Sequence, residues 1–430
     1  MKNFKYKSIV FFTMIMMFSI CHNLWSAGGN ERFPAPDFES GYKMPGSETS
    51  FDVKPWMDYV DIAVLFLALC AASYFGVKKR SRKGIYLLAI GSIVYFGFYR
   101  AGCVCPVGSI QNVTLSIVDS SYLISMKVII FFTLPLIFAL FYGRGFCSSV
   151  CPLGAIQEVF ILKHIRLPRI LSWILGLFPF IFLGLAILFV ATGSGFIICK
   201  YDPFVGFFRL GGTYQLMLSG FAILLTGMFI ARPYCRFICP YGVILGTFSF
   251  FSKKHLAICP GECIECKLCE NSCPVDAINI PSSKMDGGKR NIKLKHLGIT
   301  LVIVPFITLI ITFSVSRFSG IMSLSNPTVR LATRIKLEDA GVAKGRTLES
   351  EAFRSRKNSF LDLYTRAAMI RKKFDIGSII LGIFLGIVIS IKLVSILITG
   401  SLSGYSPNRF NCVSCGRCIE FCPVKDRDLL

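Results

Sequence analysis

Cys263-Ile264-Glu265-Cys266-Lys267-Leu268-Cys269-Glu270-Asn271-Ser272-Cys273-Pro274 and Cys412-Val413-Ser414-Cys415-Gly416-Arg417-Cys418-Ile419-Glu420-Phe421-Cys422-Pro423 repeat one pattern, Cys-x2-Cys-x2-Cys-x3-Cys-Pro. The x2 spacing lets a tight loop aim three thiolates at three irons of one cubane. The fourth cysteine opens the next turn and points away, so in chains with two clusters it ligates the other one. Crossing of this kind assigns Cys263, Cys266, Cys269 and Cys422 to one [4Fe–4S] cluster, and Cys412, Cys415, Cys418 and Cys273 to a second. Zinc is the alternative. All-cysteine zinc sites pair two Cys-x2-Cys knuckles, however, and need neither the repeated x2 nor the Cys-Pro ending.

The chain around these motifs is not that of a soluble protein. Of its 430 residues 53% are hydrophobic and only 17% charged, with 40 Phe and a mean hydropathy of +0.62. Soluble domains are nearer 45–50% apolar and about 25% charged. A polytopic membrane bundle of α-helices is expected, and disorder, collagen-like repeats and coiled coil are excluded. Apolar spans fall at 62–77, 84–98, 127–142, 170–190, 215–231, 297–316 and 376–397. A crossing helix needs roughly 20 residues, so the second and third must borrow flanking residues. The net charge of +23 matches the Lys and Arg that membrane proteins gather in cytoplasmic loops. With no soluble basic domain, no nucleic-acid partner is expected.

Residues 1–27 read as a signal peptide or an uncleaved anchor, with three lysines before an apolar run. Residues 28–56 then form an exported linker too short to fold alone. Residues 57–250 form a five-span core and 251–296 a cytoplasmic ferredoxin half. After them come a span at 297–316, an exported basic segment at 317–374, a span at 375–397 and the other cytoplasmic ferredoxin half at 398–430. The basic turn Lys78, Lys79, Arg80, Arg82 and Lys83 sets this orientation. Against it, residues 317–373 carry 13 basic and 5 acidic residues yet are exported on this count. Parity outweighs the objection: two crossings return the chain to its starting side, where the two motifs can share clusters.

A shorter repeat marks three span ends. Cys103-Val104-Cys105-Pro106-Val107-Gly108, Cys147-x3-Cys151-Pro152-Leu153-Gly154 and Cys235-x3-Cys239-Pro240-Tyr241-Gly242 each put a cysteine pair before Pro-x-Gly, which is expected to start a new interfacial segment. The x3 spacing sets two thiols about one helical turn apart. Cys147, Cys151, Cys235 and Cys239 are therefore four cytoplasmic thiols at neighbouring span ends, enough for a third Fe–S cluster or another metal. Structural or redox-active thiol pairs are the alternative. Cys103, Cys105 and Cys199 form a candidate exported redox site, set against a plain disulfide. Cys259 reads as a bystander, and Cys21 and Cys70 as small buried hydrophobes.

The histidines exclude haem. His164, His255 and His296 each follow a lysine and read as solvated loop residues, and none of the four, His22 included, lies mid-span. A b-type haem needs axial imidazoles between helices, and the c-type Cys-x2-Cys-His is missing from the sequence. Neither a Walker A loop nor a Rossmann fingerprint is present. Electron chemistry must rest on cysteine-held centres, or on a cofactor such as quinone that leaves no short motif.

The Phe141-Tyr142-Gly143-Arg144-Gly145-Phe146-Cys147…Cys151-Pro152-Leu153-Gly154-Ala155 and Arg232-Pro233-Tyr234-Cys235-Arg236-Phe237-Ile238-Cys239-Pro240 turns resemble those of membrane polyferredoxins of the NosR, NapH and CcoG type. The resemblance covers roughly residues 60–275 and the C-terminal motif. It implies a bacterial inner-membrane protein with cytoplasmic [4Fe–4S] clusters that exchanges electrons with redox partners on the cytoplasmic and exported faces. Two spans split the ferredoxin motifs here, which usually follow one another directly in the family, and the Cys103/Cys105 turn lies outside the common pattern. The expected role is an electron-transfer component rather than a stand-alone enzyme, passing electrons between the cytoplasmic side or quinone pool and, for example, a periplasmic reductase. A metal-reducing assembly factor for a cuproenzyme and a transmembrane thiol–disulfide relay are the rivals.

Overall fold

The computed structural model describes residues 55–102, 105–162, 165–209, 211, 213–256, 258, 263–279, 294–343, 345–355, 359–397 and 405–423. The expected signal or anchor and all but the end of the linker lie outside the described residues, as do Cys103, His164 and Cys259.

The described chain is mostly helical. Helix α1 (Pro55–Ser73) runs on as a π-helix, Tyr74–Lys78, and α2 (Arg82–Ser92) as another, Ile93–Tyr99. Between them Ser81 caps α2 by accepting from the Gly84 N–H, which satisfies one of the N–H groups a helix start leaves bare. Helices α3 (Pro106–Val118), α4 (Met126–Tyr142), α5 (Pro152–Val159), α6 (Phe178–Ala191), α7 (Tyr214–Phe229) and α8 (Pro240–Phe250) build the rest of the core. Among the described residues three helical stretches are long and apolar enough to cross a membrane: Trp56–Lys78, Ile170–Ala191 and Phe360–Val394. Shorter apolar helices occupy Met126–Tyr142, Tyr214–Phe229 and Ile303–Arg317. Their outer faces leave Phe66, Leu67, Ile187, Phe221, Phe306 and Ile383 exposed. That apolar belt suits lipid and would be a liability in water.

Helices α3, α5 and α8 depart from expectation. Each follows a Cys-Pro step, and proline suits the first helical turn because its missing N–H would have no partner there. They are not interfacial. Every residue from Pro152 to Glu158 is buried, as are Pro106, Val107, Ile110 and Gln111 of α3 and Pro240, Tyr241 and Gly242 of α8. At 13, 8 and 11 residues they are too short to span. The Tyr241 hydroxyl donates to the Phe132 carbonyl, midway along α4, at 2.7 Å, whereas Ser249 at the other end of α8 reaches the Arg409 carbonyl. Helix α8 thus rises from the middle of the bundle to the end that carries the cysteine motifs. Irregular backbone at this depth is tolerated because protein surrounds it.

Helices α9 (Leu294–Arg317) and α11 (Phe360–Leu397) form a hairpin against α6. A Cβ on Gly382 would lie 2.5 Å from Thr312 Cα, and one on Gly386 2.7 Å from Thr308 Cα. Small residues of this kind let two apolar helices approach closely in lipid. The described residues of the basic segment between them include a packed helix: Val329, Ala332 and Ile335 of α10 (Pro327–Asp339) pack on Leu363 and Ala367 of α11. It lies at the opposite end of the bundle from the cysteine motifs. The buried Asp61 carboxylate ties three helices together through Arg100 (2.6 Å), Lys127 (2.9 Å) and the Tyr95 hydroxyl (3.0 Å).

Candidate iron–sulfur centres

The two cysteine motifs meet at one end of the bundle. Strand β1 (Ile278–Asn279) follows the first and pairs antiparallel with β2 (Ser406–Pro407), which precedes the second, in the register Ile278↔Pro407 and Asn279↔Ser406. The Asn408 N–H extends the pairing to the Ala277 carbonyl at 2.7 Å. The loops themselves match. Glu265 and Lys267 adopt φ of 52° and 60°, and Ser414 and Gly416, at equivalent positions, 52° and 75°. Left-handed residues at these two places curl each loop about its own thiols, at a cost that only glycine escapes.

Around the second motif, Cys273 joins Cys412, Cys415 and Cys418 in lining one pocket with Val413 and Pro407. Burial pushes the Cys412 thiol up to about 12 and Cys273 to about 11, and the neighbouring sulfurs reinforce both shifts. Crowded, dry thiols of this kind stay protonated unless a cationic centre draws off the protons, and iron is such a centre. Around the first motif, burial and then the potentials of Cys263, Cys266 and Cys422 raise Cys269. Cys263 and Cys266 are exposed. Both sets fit a thiolate-held cluster. Among the described residues no three His, Cys, Asp or Glu side chains converge as they would on a single metal ion.

Cys147 lies in the one-turn helix Gly145–Ser149 and Cys235 in its counterpart Pro233–Phe237, while Cys151 and Cys239 are the N-caps of α5 and α8. All four belong to the main core and lie within one another's electrostatic reach. The glycine of Pro-x-Gly is needed here, since a Cβ on Gly154 would sit 2.2 Å from the Cys147 carbonyl oxygen. Gln157 bridges the two turns, donating to Cys235 Sγ at 3.4 Å and accepting from the Tyr234 N–H at 3.1 Å.

Cys105 caps α3 and lies within electrostatic reach of Cys151 and Cys239. Cys199 stands close by: its Sγ is 3.0 Å from where a Gly108 Cβ would be, and Gln111 accepts from the Ile198 and Cys199 N–H groups. Cys70, in contrast, is exposed on α1.

The 4Fe-4S binding domain family matches residues 125–170 and 214–258, which hold both Cys-x3-Cys-Pro turns, and a second 4Fe-4S binding domain family matches residues 260–279. An uncharacterized protein of Methanocaldococcus jannaschii is 29% identical over 195 residues, 42% of this chain and 77% of that protein. The putative electron transport protein YccM of Escherichia coli is 27% identical over 190 residues, 39% of this chain and 52% of YccM. The regulatory protein NosR of Stutzerimonas stutzeri is 27% identical over 241 residues, 50% of this chain and 32% of NosR. The 4Fe-4S binding domains and these relatives support a likeness to membrane polyferredoxins of the NosR/NapH type. The chain's match thus spans about half of YccM and a third of NosR. No solved structure matches. The chain's 4Fe-4S binding domains, its electron-transport relatives and its apolar helices support an iron–sulfur protein of the membrane.

Several residues that shape the site escape the sequence reading. Glu158 is buried on α5 and accepts from Arg82 (2.9 Å), Arg417 (2.8 Å) and Arg232 (2.8 Å). Burial alone would raise its carboxyl, but Arg232, Arg417 and Arg82 overcome this and hold it at about 2. Arg232 also donates to the Cys147 and Ser148 carbonyls, and Arg82 to the Cys415 carbonyl. One carboxylate therefore clamps the four-thiol turns to the second motif. His255 is not a solvated loop residue: it packs on Gly143, and burial lowers its pKa. The one signal in the sequence was the arginine three residues before each Cys-x3-Cys, Arg144 and Arg232.

Proposed function

We propose that this protein is the membrane electron-transfer subunit of a bacterial redox system, with two crossed [4Fe–4S] clusters on the cytoplasmic side of the inner membrane. It would pass electrons between that side, or the quinone pool, and an exported partner such as a periplasmic reductase. The observation that carries the reading is the pocket lined jointly by Cys273 and by Cys412, Cys415 and Cys418. Cys263, Cys266, Cys269 and Cys422 would hold the first cluster, and Cys147, Cys151, Cys235 and Cys239 a third centre.

Bound clusters supply reversible one-electron storage without proton transfer. The chain supplies the rest. Strands β1 and β2 hold the two halves in register, and Val413, Val275 and Leu256 keep water from the second thiol set. Glu158 and its arginines fix that set against the membrane core. Seven spans, with the basic segment exported, return both halves to one side.

A thiol relay is the second reading, favoured by Cys105 and Cys199 standing together beside Gly108. Iron and acid-labile sulfide quantitation with an EPR redox titration separates the two. The polyferredoxin reading requires at least about eight irons per chain in two cubanes. Zinc without sulfide, or thiol trapping that shifts Cys105 and Cys199 while no iron titrates, would refute it.

A further inference from the structure

Arg144 is a buried cation with no carboxylate to answer it among the described residues. It is 6% exposed, its Nε is buried without a partner, and no ion pair includes it. Its counterpart in the other turn, Arg232, is just as deeply placed but rests on Glu158. Among the described residues the guanidinium of Arg144 makes two polar contacts. Nη1 donates to the Phe410 carbonyl at 2.8 Å, just ahead of the second cysteine motif, and Nη2 stands 4.0 Å from Cys147 Sγ. Gly242 of the second Pro-x-Gly keeps the space open, since a Cβ there would lie 3.1 Å from Nη2. The charge is felt at Cys235 on one side and Cys412 on the other. A buried cation left uncompensated is strongly unfavourable, so it requires an anion close by. Four thiolates around an iron–sulfur core carry net negative charge, and the sulfur that Arg144 approaches belongs to that set.

We propose that Arg144 is the counter-charge of an anionic centre held by Cys147, Cys151, Cys235 and Cys239, and that it raises the midpoint potential of that centre relative to the Cys263 cluster. The inference rests on the four-thiol centre proposed above. Arg144 is a positioning residue: it touches a ligand sulfur and the ferredoxin half, and it acts through charge. A cation beside the sulfurs stabilises the reduced, more negative form and leaves the more distant Cys263 set almost unaffected.

The test is an EPR-monitored redox titration of the full-length protein in detergent, with iron and sulfide counts, for wild type, Cys147→Ser, Arg144→Gln and Arg144→Lys. Cys147→Ser identifies the signal of the four-thiol centre. Arg144→Gln is expected to lower the midpoint of that signal or lose it, while Arg144→Lys retains signal and midpoint and the Cys263-set signal stays in place in both. An unmoved midpoint in Arg144→Gln, or equal loss in Gln and Lys, overturns the charge role while the centre stands. A wild-type protein with only two cubanes' iron and no signal sensitive to Cys147→Ser removes the centre itself, and the proposal with it.

Discussion

Arg417, inside the second cysteine motif, sets Nε and Nη2 on one oxygen of Glu158 at 3.0 and 2.8 Å, although the two residues lie 259 apart in the chain. Glu158 is the last buried residue of α5, which begins at Cys151-Pro152. A single carboxylate therefore joins the four-thiol turns to the ferredoxin module, and that joint can be tested.

Glu158→Gln keeps the shape and removes the charge that three guanidinium groups share. Breaking a buried ion pair from one side costs about 3–5 kcal/mol. The variant is expected to unfold at lower temperature in detergent and to lose iron from the Cys415 set before the Cys263 set. Unchanged melting and iron content would contradict the clamp.

The same carboxylate predicts an acid response. Its folded pKa, about 2, lies below the ordinary 4.5, so the folded state favours the ionised form. The stabilisation is complete above about pH 4.5 and fades as pH falls toward 2. Thermal melts from pH 6 down to 3 should show wild type losing stability more steeply than Glu158→Gln. Parallel declines would place the carboxylate outside the stabilising network.

Gly154→Ala drives a methyl group to 2.2 Å from a main-chain oxygen. Overpacking of this kind costs about 1–3 kcal/mol, because backbone cannot step aside as a side chain can. Gly91→Ala meets nothing within 4 Å and is the control. The first is expected to lower stability and the second to leave it unchanged or slightly raised, as measured by melting in detergent.

Much of this architecture is legible in the sequence because cysteine spacing and apolar runs are local signals. The motifs, the repeated turns and the apolar segments announce themselves. What stays hidden is long-range or disguised. Helices α3, α5 and α8 look interfacial because a Cys-Pro step after a span resembles an exit from the membrane, and only their packing reveals half-helices buried in the core. Counting every segment as crossing or staying outside then places Cys105 at the far face, whereas Cys105 lies within electrostatic reach of Cys151 and Cys239. Arg144, Arg232 and His255 sit beside turns, where charged residues are usually solvated, so their burial cannot be read from neighbours. Glu158 depends on arginines up to 259 positions away, which no local pattern encodes.

The basic segment supplies a topological test. Gly345 lies between α10 and α11, at the end of the bundle opposite the cysteine motifs. A reporter fused after Gly345 is expected to be exported, and one fused after Cys422 to be cytoplasmic. Activity of both on one side would undo the crossings at 297–316 and 375–397.

The central claim is the exchange of fourth ligands between two halves of one chain, and EPR with iron counts on four single variants tests it most directly. Cys266→Ala and Cys422→Ala should each erase the same cluster signal and about four irons, while Cys415→Ala and Cys273→Ala erase the other. If Cys273→Ala instead erases the signal lost in Cys266→Ala, each motif keeps its own fourth cysteine and the exchange does not occur.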